Sequence, residues 1–252
     1  MDNLQALFNT MACVTWILQV AILIGMYRKD LMREFRIFFA YTAFTLFQSL
    51  SLVAIRNYFG YRSVAYFDSY WIGFAIHIVL MFFIIQEVYA KVLCRYEGLR
   101  ALSNIIFRWA FMLLVLLATT SALNAPAPAA DWMYSNILRI DYSTRIVEFG
   151  LIVLLFVLAR AFALSWRECV FGIAVGTCFY CSTELAILTL RTHYGPSVAD
   201  LHAILSPLLG IITLSIWALY MYRAEHKRVT MGLPQNPQLE EWNRAVLQFL
   251  NR

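Results

Sequence analysis

Five polar residues fall inside long apolar runs, and their types permit chemistry. Glu184 and Glu148 carry carboxylates, His77 and His202 imidazoles, and Gln48 an amide. An ionisable group inside a membrane-length apolar run is costly and marks a site by default. At ~1.5 Å rise per residue, His77, Gln48 and Glu184 lie about 10–12 Å below one common surface, with Glu148 and His202 nearer to it. The five together predict a polar pocket that opens outward and is closed inward. Such a set could bind a divalent cation such as zinc or manganese, carry a proton on Glu184, or hold an amine-bearing solute. The competing reading is a packing network in which Glu184 bonds a neighbouring His, Tyr or Thr. Equal depth does not by itself establish a common face.

Other residues of chemical interest have plainer explanations. Glu87 stands four residues before Lys91 near an inner run end and reads as half of a snorkelling pair. Cys178-Phe-Tyr-Cys181 has the spacing of a redox or metal motif. No second pair accompanies it and it lies in an apolar run, so small packing residues are the better explanation. Pro207 should kink the last run. The last run has no lysine for a retinal Schiff base. The chain has no glycine-rich phosphate loop, no His-Glu-x-x-His motif and no room for a kinase domain. Nothing supports catalysis, so the expectation is a non-enzymatic protein with no cofactor and no assigned metal.

The elements that must position these residues are seven apolar runs: 7–27, 37–55, 69–89, 105–123, 146–164, 170–190 and 199–222. Each approaches the ~20 residues a helix needs to cross a hydrocarbon core roughly 30 Å thick. Of the 252 residues, 62% are hydrophobic and 14% charged, whereas a soluble domain is about a quarter charged. The expected fold is therefore an all-α membrane protein, a seven-helix bundle over residues 1–228, with a cytoplasmic tail at 229–252.

Charge placement predicts orientation. With the amino terminus outside, fifteen of the 20 Lys and Arg residues fall on the inner side and only Arg56, Arg62, Arg139, Arg145 and Arg191 on the outer. Basic residues are retained on the cytoplasmic side, so the topology reads N-out, C-in. The basic residues hug a membrane surface, where anionic lipid attracts them, and nucleic acid is not an expected partner. The first run lacks a preceding positive charge and reads as a retained anchor rather than a cleaved signal. None of the five cysteines sits in an outer segment, which argues against a disulfide framework.

The segment 56–68, with the start of the next run, is rich in Tyr, Phe and Trp and reads as an interfacial aromatic belt. The longest outer loop is expected at 124–145, extended through Ala-Pro-Ala-Pro, with Trp132 and Tyr134 resting on the membrane. In the tail, Leu239, Trp242, Val246, Phe249 and Leu250 share one face of a short amphipathic helix. That face would lie on the inner leaflet or, through Trp242 and Phe249, dock a membrane or cytoplasmic protein partner. Removal of residues 237–252 is expected to leave the bundle folded.

The chain also echoes itself. The second run follows Arg33-Glu34 and ends Arg56-Asn-Tyr-Phe-Gly60, and the sixth follows Arg167-Glu168 and ends Arg191-Thr-His-Tyr-Gly195. Ser63-Val-Ala65 then matches Ser197-Val-Ala199. A parallel duplication, three helices, one linking helix and three more, would produce this pattern, and parallel repeats occur in transporters. Shared boundary chemistry of membrane helices is the alternative.

The segments Arg33-Glu-Phe-Arg-Ile-Phe-Phe-Ala-Tyr41, Val88-Tyr-Ala-Lys-Val-Leu-Cys-Arg-Tyr-Glu-Gly-Leu-Arg100 and Leu164-Ser-Trp-Arg-Glu-Cys-Val-Phe-Gly172 resemble an uncharacterised family of small seven-helix bacterial inner-membrane proteins. The resemblance covers most of the chain. It implies a bacterial plasma membrane and no activity, so it transfers no functional residue. The expected role is a sensor or accessory subunit that binds a small ligand or ion from outside. A small transporter on the repeat, or a structural subunit of a membrane complex, are the alternatives.

Overall fold

The protein's computed structural model describes residues 2–60, 63–93, 97–123, 130–161, 168–194 and 199–223. Side chains are described from residue 7 in α1, for part of α4, from 141 in α5, up to 190 in α6 and from 204 in α7. The helices are α1 (Asp2–Arg28), α2 (Arg36–Phe59), α3 (Val64–Val92), α4 (Glu97–Leu123), α5 (Ala130–Ala161), α6 (Glu168–Tyr194) and α7 (Ala199–Arg223), and no strand occurs among the described residues. Six of them, all except α4, contain a described stretch long and apolar enough to cross a membrane. The expected tail, with Trp242 and Phe249, lies outside the described residues.

The helices form a ring. α1 packs on α2, α2 on α3, α3 on α5, α5 on α6, α6 on α7, and α7 back on α1. α3 also reaches α6 across the ring, and α4 packs against α3 and α5. Large apolar side chains point outward all round, among them Ile17, Phe47, Ile72, Trp109, Val157 and Leu219. In water such a surface would drive association; lipid solvates it at no cost, which is the physical content of a membrane-spanning composition.

Polar side chains clamp one end of the ring. Lys29, one residue past α1, donates from Nζ to the carbonyls of Met221 (2.8 Å) and Tyr222 (2.9 Å). A cation thus meets the unsatisfied carbonyls at the end of α7. The Tyr222 hydroxyl returns a bond to Ala21 O at 2.9 Å. Glu87 of α3 accepts from the backbone N–H groups of Ile37 and Phe38, both at 3.1 Å. It therefore caps the start of α2, whose own N-cap, Phe35, offers no side-chain acceptor. Lys91 meanwhile pairs with Glu34 at 3.9 Å, so the chief role of Glu87 is this cap rather than a snorkelling pair.

The apolar core fills the half of the ring next to this clamp. Ile22 and Met26, Phe35 and Phe38, Met81, Ile84, Ile85, Val88 and Tyr89 of α3, Leu151, Ile152 and Leu155 of α5, Cys169, Val170, Ile173 and Ala174 of α6, and Leu214, Trp217 and Met221 of α7 form one buried cluster with Phe107 of α4. Phe38 meets Trp217 edge-on at 4.9 Å. The Tyr89 hydroxyl is spent on Leu151 O at 2.6 Å. The polar side chains lie beyond this floor, toward the Gly60 end.

Two expected loops are shorter than hydropathy suggested. α5 begins at Ala130, so 130–145 is helix and not an extended outer loop. Four charges, Asp131, Arg139, Asp141 and Arg145, dilute the hydropathy of that stretch without opposing helix. Likewise α2 runs to Phe59 and α3 starts at Val64. Gly60, at φ 83°, turns the chain, and Ser63 Oγ caps α3 by accepting from Tyr66 N at 3.2 Å. Phe67, Tyr70, Trp71 and Phe74 are a ladder of ring contacts along α3, while Tyr58 and Phe59 are exposed.

Candidate functional site

Asp141, Arg145 and Glu148 stand at i, i+4 and i+7 on α5, which places them on one helix face. That face turns inward. Arg145 Nη1 donates to Glu148 Oε2 at 3.1 Å, and its Nε lies 3.3 Å from Asp141 Oδ1. The Arg145 side chain is 3% exposed and that of Glu148 0%. One guanidinium is therefore divided between two carboxylates in the interior of the helical ring. Losing one partner of such a buried pair costs about 3–5 kcal/mol.

α6 supplies the opposite wall. The guanidinium carbon sits 5.0 Å from the centroid of the Tyr180 ring, a cation–π contact. One residue on, Cys181 Sγ lies 3.7 Å from Glu148 Oε2 as a weak donor. Cys181 is thus a wall of the ionic centre, whereas Cys178 is only partly buried, and both are free thiols. The Tyr180 hydroxyl lies 3.4 Å from His77 Nε2 on α3, the direction of the bond depending on the histidine tautomer. Beyond it the Tyr41 ring of α2 sits 5.3 Å from His77 and 6.0 Å from Trp217 of α7. Five helices converge on this line of groups. Gly176 lets Trp217 lie flat on α6, where its Nε1 donates to Ile173 O at 3.3 Å; a Cβ at 176 would collide with the indole.

The sequence-derived site residues divide on this geometry. Glu148 and His77 belong to one network, bridged by Arg145 and Tyr180. Glu184, one turn beyond Tyr180, accepts a 2.8 Å bond from Ser206 Oγ of α7 and borders the network. Gln48 is elsewhere, lying against Gly73 and donating to Ser69 O at 3.1 Å across the α2–α3 seam. His202 falls in α7, but its side chain is outside the described residues. His77 is near the midpoint of α3, deeper than a start at residue 69 implied, because α3 begins five residues earlier.

Arg145, Asp141 and Tyr180 were missed by hydropathy. It assigned Arg145 to an outer loop, and a tyrosine inside an apolar run carries no alarm. The Asp-x3-Arg-x2-Glu spacing was the available signal.

The Asp141–Arg145 contact is an ion pair without hydrogen-bond geometry. Among the described residues Glu148 Oε1 is also buried with no hydrogen bond, as are Gln19 Oε1 and Trp71 Nε1 elsewhere. Its sister oxygen takes both the arginine and the cysteine. An ionised carboxylate so placed lacks compensation at one oxygen, at a cost well above that of a neutral unsatisfied group. The centre therefore offers an acceptor to a cationic or proton-bearing species. No group of three or more His, Cys, Asp or Glu with metal-holding geometry occurs among the described residues. No family model, curated protein or solved structure matches the chain.

Proposed function

We propose that the chain is a non-enzymatic membrane protein, a sensor or accessory subunit, that binds a small cation or amine-bearing solute at the Asp141–Arg145–Glu148 centre. The observation that carries this is the buried Oε1 of Glu148, which has no hydrogen bond among the described residues, in a centre where two carboxylates share one guanidinium. Two carboxylates against one arginine leave the ionised centre net negative, which suits a cation. Entry is from the Gly60 end, since the apolar core closes the other half. In this proposal the Lys29 end, rich in basic residues, is cytoplasmic, the amino terminus is outside and the bilayer is a bacterial plasma membrane.

Thermal-shift measurements on detergent-purified protein test the site against sodium, potassium, zinc and manganese chlorides and methylammonium chloride. At least one cation should raise the unfolding midpoint, and Glu148→Gln should abolish that rise while the protein stays monodisperse. A flat profile across the panel overturns the proposal.

A transporter is the second reading, and two observations favour it. Exchanging α1, α2 and α3 with α5, α6 and α7 maps the ring of neighbours onto itself, the α3–α5 contact becoming α7–α1. Gln48 and Glu184 also occupy matched places, eight and seven residues before Arg56 and Arg191, and each bonds the third helix of its own triplet. Both fit a three-plus-one-plus-three repeat. Cation-dependent flux into proteoliposomes would select this reading over sensing.

A further inference from the structure

We infer that Glu148 holds an exchangeable proton on Oε1, and that a cation entering the centre displaces it, one for one. This rests on the cation-site reading above, but its first part can be tested without any ligand. Oε2 is already engaged by Arg145 and Cys181, so the proton belongs on Oε1. Arg145 cannot compensate both oxygens, because its Nε side faces Asp141. As a neutral acid, Glu148 keeps its bond from Arg145 and sheds the uncompensated charge; an unsatisfied neutral group is far cheaper than a charged one. When a cation arrives, the Oε1–H bond breaks, the electron pair stays on the carboxylate, the cation takes its place at Oε1 and the proton leaves to solvent.

The neighbours that act on this group are few. On α5 they are Asp141 and Arg145; on α6, Tyr180, Cys181 and, one turn on, Glu184. α3 presents His77 through the Tyr180 hydroxyl. Arg100 and Arg108 of α4, the helix outside the ring, are exposed. From α2, Tyr41 stacks on His77. His77 and Tyr180 keep part of their surface open and give the proton a polar way out.

Infrared difference spectroscopy of the full-length protein in detergent reads the proton directly. At about pH 6 an ordinary glutamate, pKa ≈ 4.3, is ionised. The cation-free protein should nonetheless show a carboxylic-acid carbonyl band that Glu148→Gln removes and Glu184→Gln leaves. Asp141→Asn should also remove it, because Glu148 then has sole use of the guanidinium. A role confined to packing would not produce that result. Adding sodium or methylammonium chloride should erase the band and release one proton per cation, read by a pH dye in weak buffer. If the band is absent at pH 6, or survives in Glu148→Gln, the protonated state is overturned, while cation stabilisation in the thermal-shift panel would stand on its own. If the band persists through cation-induced stabilisation, the exchange is overturned. If no cation of the thermal-shift panel stabilises the protein or moves the band, the cation-site reading fails and the exchange with it.

Discussion

The helices α1–α2–α3 and α5–α6–α7 follow one another in the same order round the ring, yet different chemistry holds them. In the first triplet, apart from the Glu87 cap at its Lys29 end, the interhelical side-chain bonds among the described residues are neutral. Trp16 Nε1 donates to Ser49 Oγ at 2.8 Å, Gln19 Nε2 to Thr45 Oγ1 at 3.2 Å, and Gln48 Nε2 to Ser69 O. In the second triplet, ionisable groups occupy the interior: Asp141, Arg145, Glu148 and Glu184. Neutral bonds of roughly 0.6–2 kcal/mol each already suffice to join membrane helices. The charges of the second triplet therefore exceed what packing asks for, and the proposed function rests on that difference.

Removing the charge pairing should break the comparison most severely. Arg145→Leu strands two buried acids and should destabilise the protein by about 3–5 kcal/mol. Loss of monodisperse protein on size exclusion, or a large drop in the unfolding midpoint, would show it. Arg145→Lys, a point charge in place of a fork, should fall between. A wild-type midpoint for Arg145→Leu would make the two triplets energetically alike.

The first triplet should be most sensitive to volume. A Cβ at position 73 would overlap the Gln48 amide, so Gly73→Ala should cost about 1–3 kcal/mol. Adding Gln48→Ala should recover much of it, and a double-mutant cycle on unfolding midpoints measures the coupling. Purely additive effects would separate Gln48 from the α2–α3 seam.

The clamp at the Lys29 end should give smaller effects. Glu87→Ala leaves the start of α2 without its acceptor, at a cost of about 1 kcal/mol, typical of a lost N-cap. Lys29→Met should cost about 0.3–1 kcal/mol through the end of α7. Hydrogen exchange should rise at residues 37–38 in the first variant. The smallest effect belongs to Glu184→Gln, whose amide oxygen still accepts from Ser206 and whose unfolding midpoint should stay within measurement error of wild type. A large loss there would place Glu184 inside the charged centre rather than at its border.

Much of this was legible from residue types, and the limits are instructive. Glu148 and His77 announced themselves because charge or imidazole inside an apolar run is expensive wherever it points. Glu184 was legible as a polar group, and its partner proved to be Ser206 on the next helix. Gln48 shared their depth but not their face, since its amide is used locally on Gly73 and Ser69. Arg145 was hidden by the very feature that makes it informative. Together with Asp131, Arg139 and Asp141 it lowered the local hydropathy, so a helix looked like a loop.

Length and apolar composition alone dictated that these segments be helices of membrane-crossing length, because in hydrocarbon every backbone N–H and C=O must be satisfied within the segment. Which side chains meet was left to the tertiary arrangement. A helix face acquires meaning only from the helix packed against it, and only the closing of α3, α5 and α6 on one another turned Asp141, Arg145, Glu148, Tyr180 and His77 into a single site.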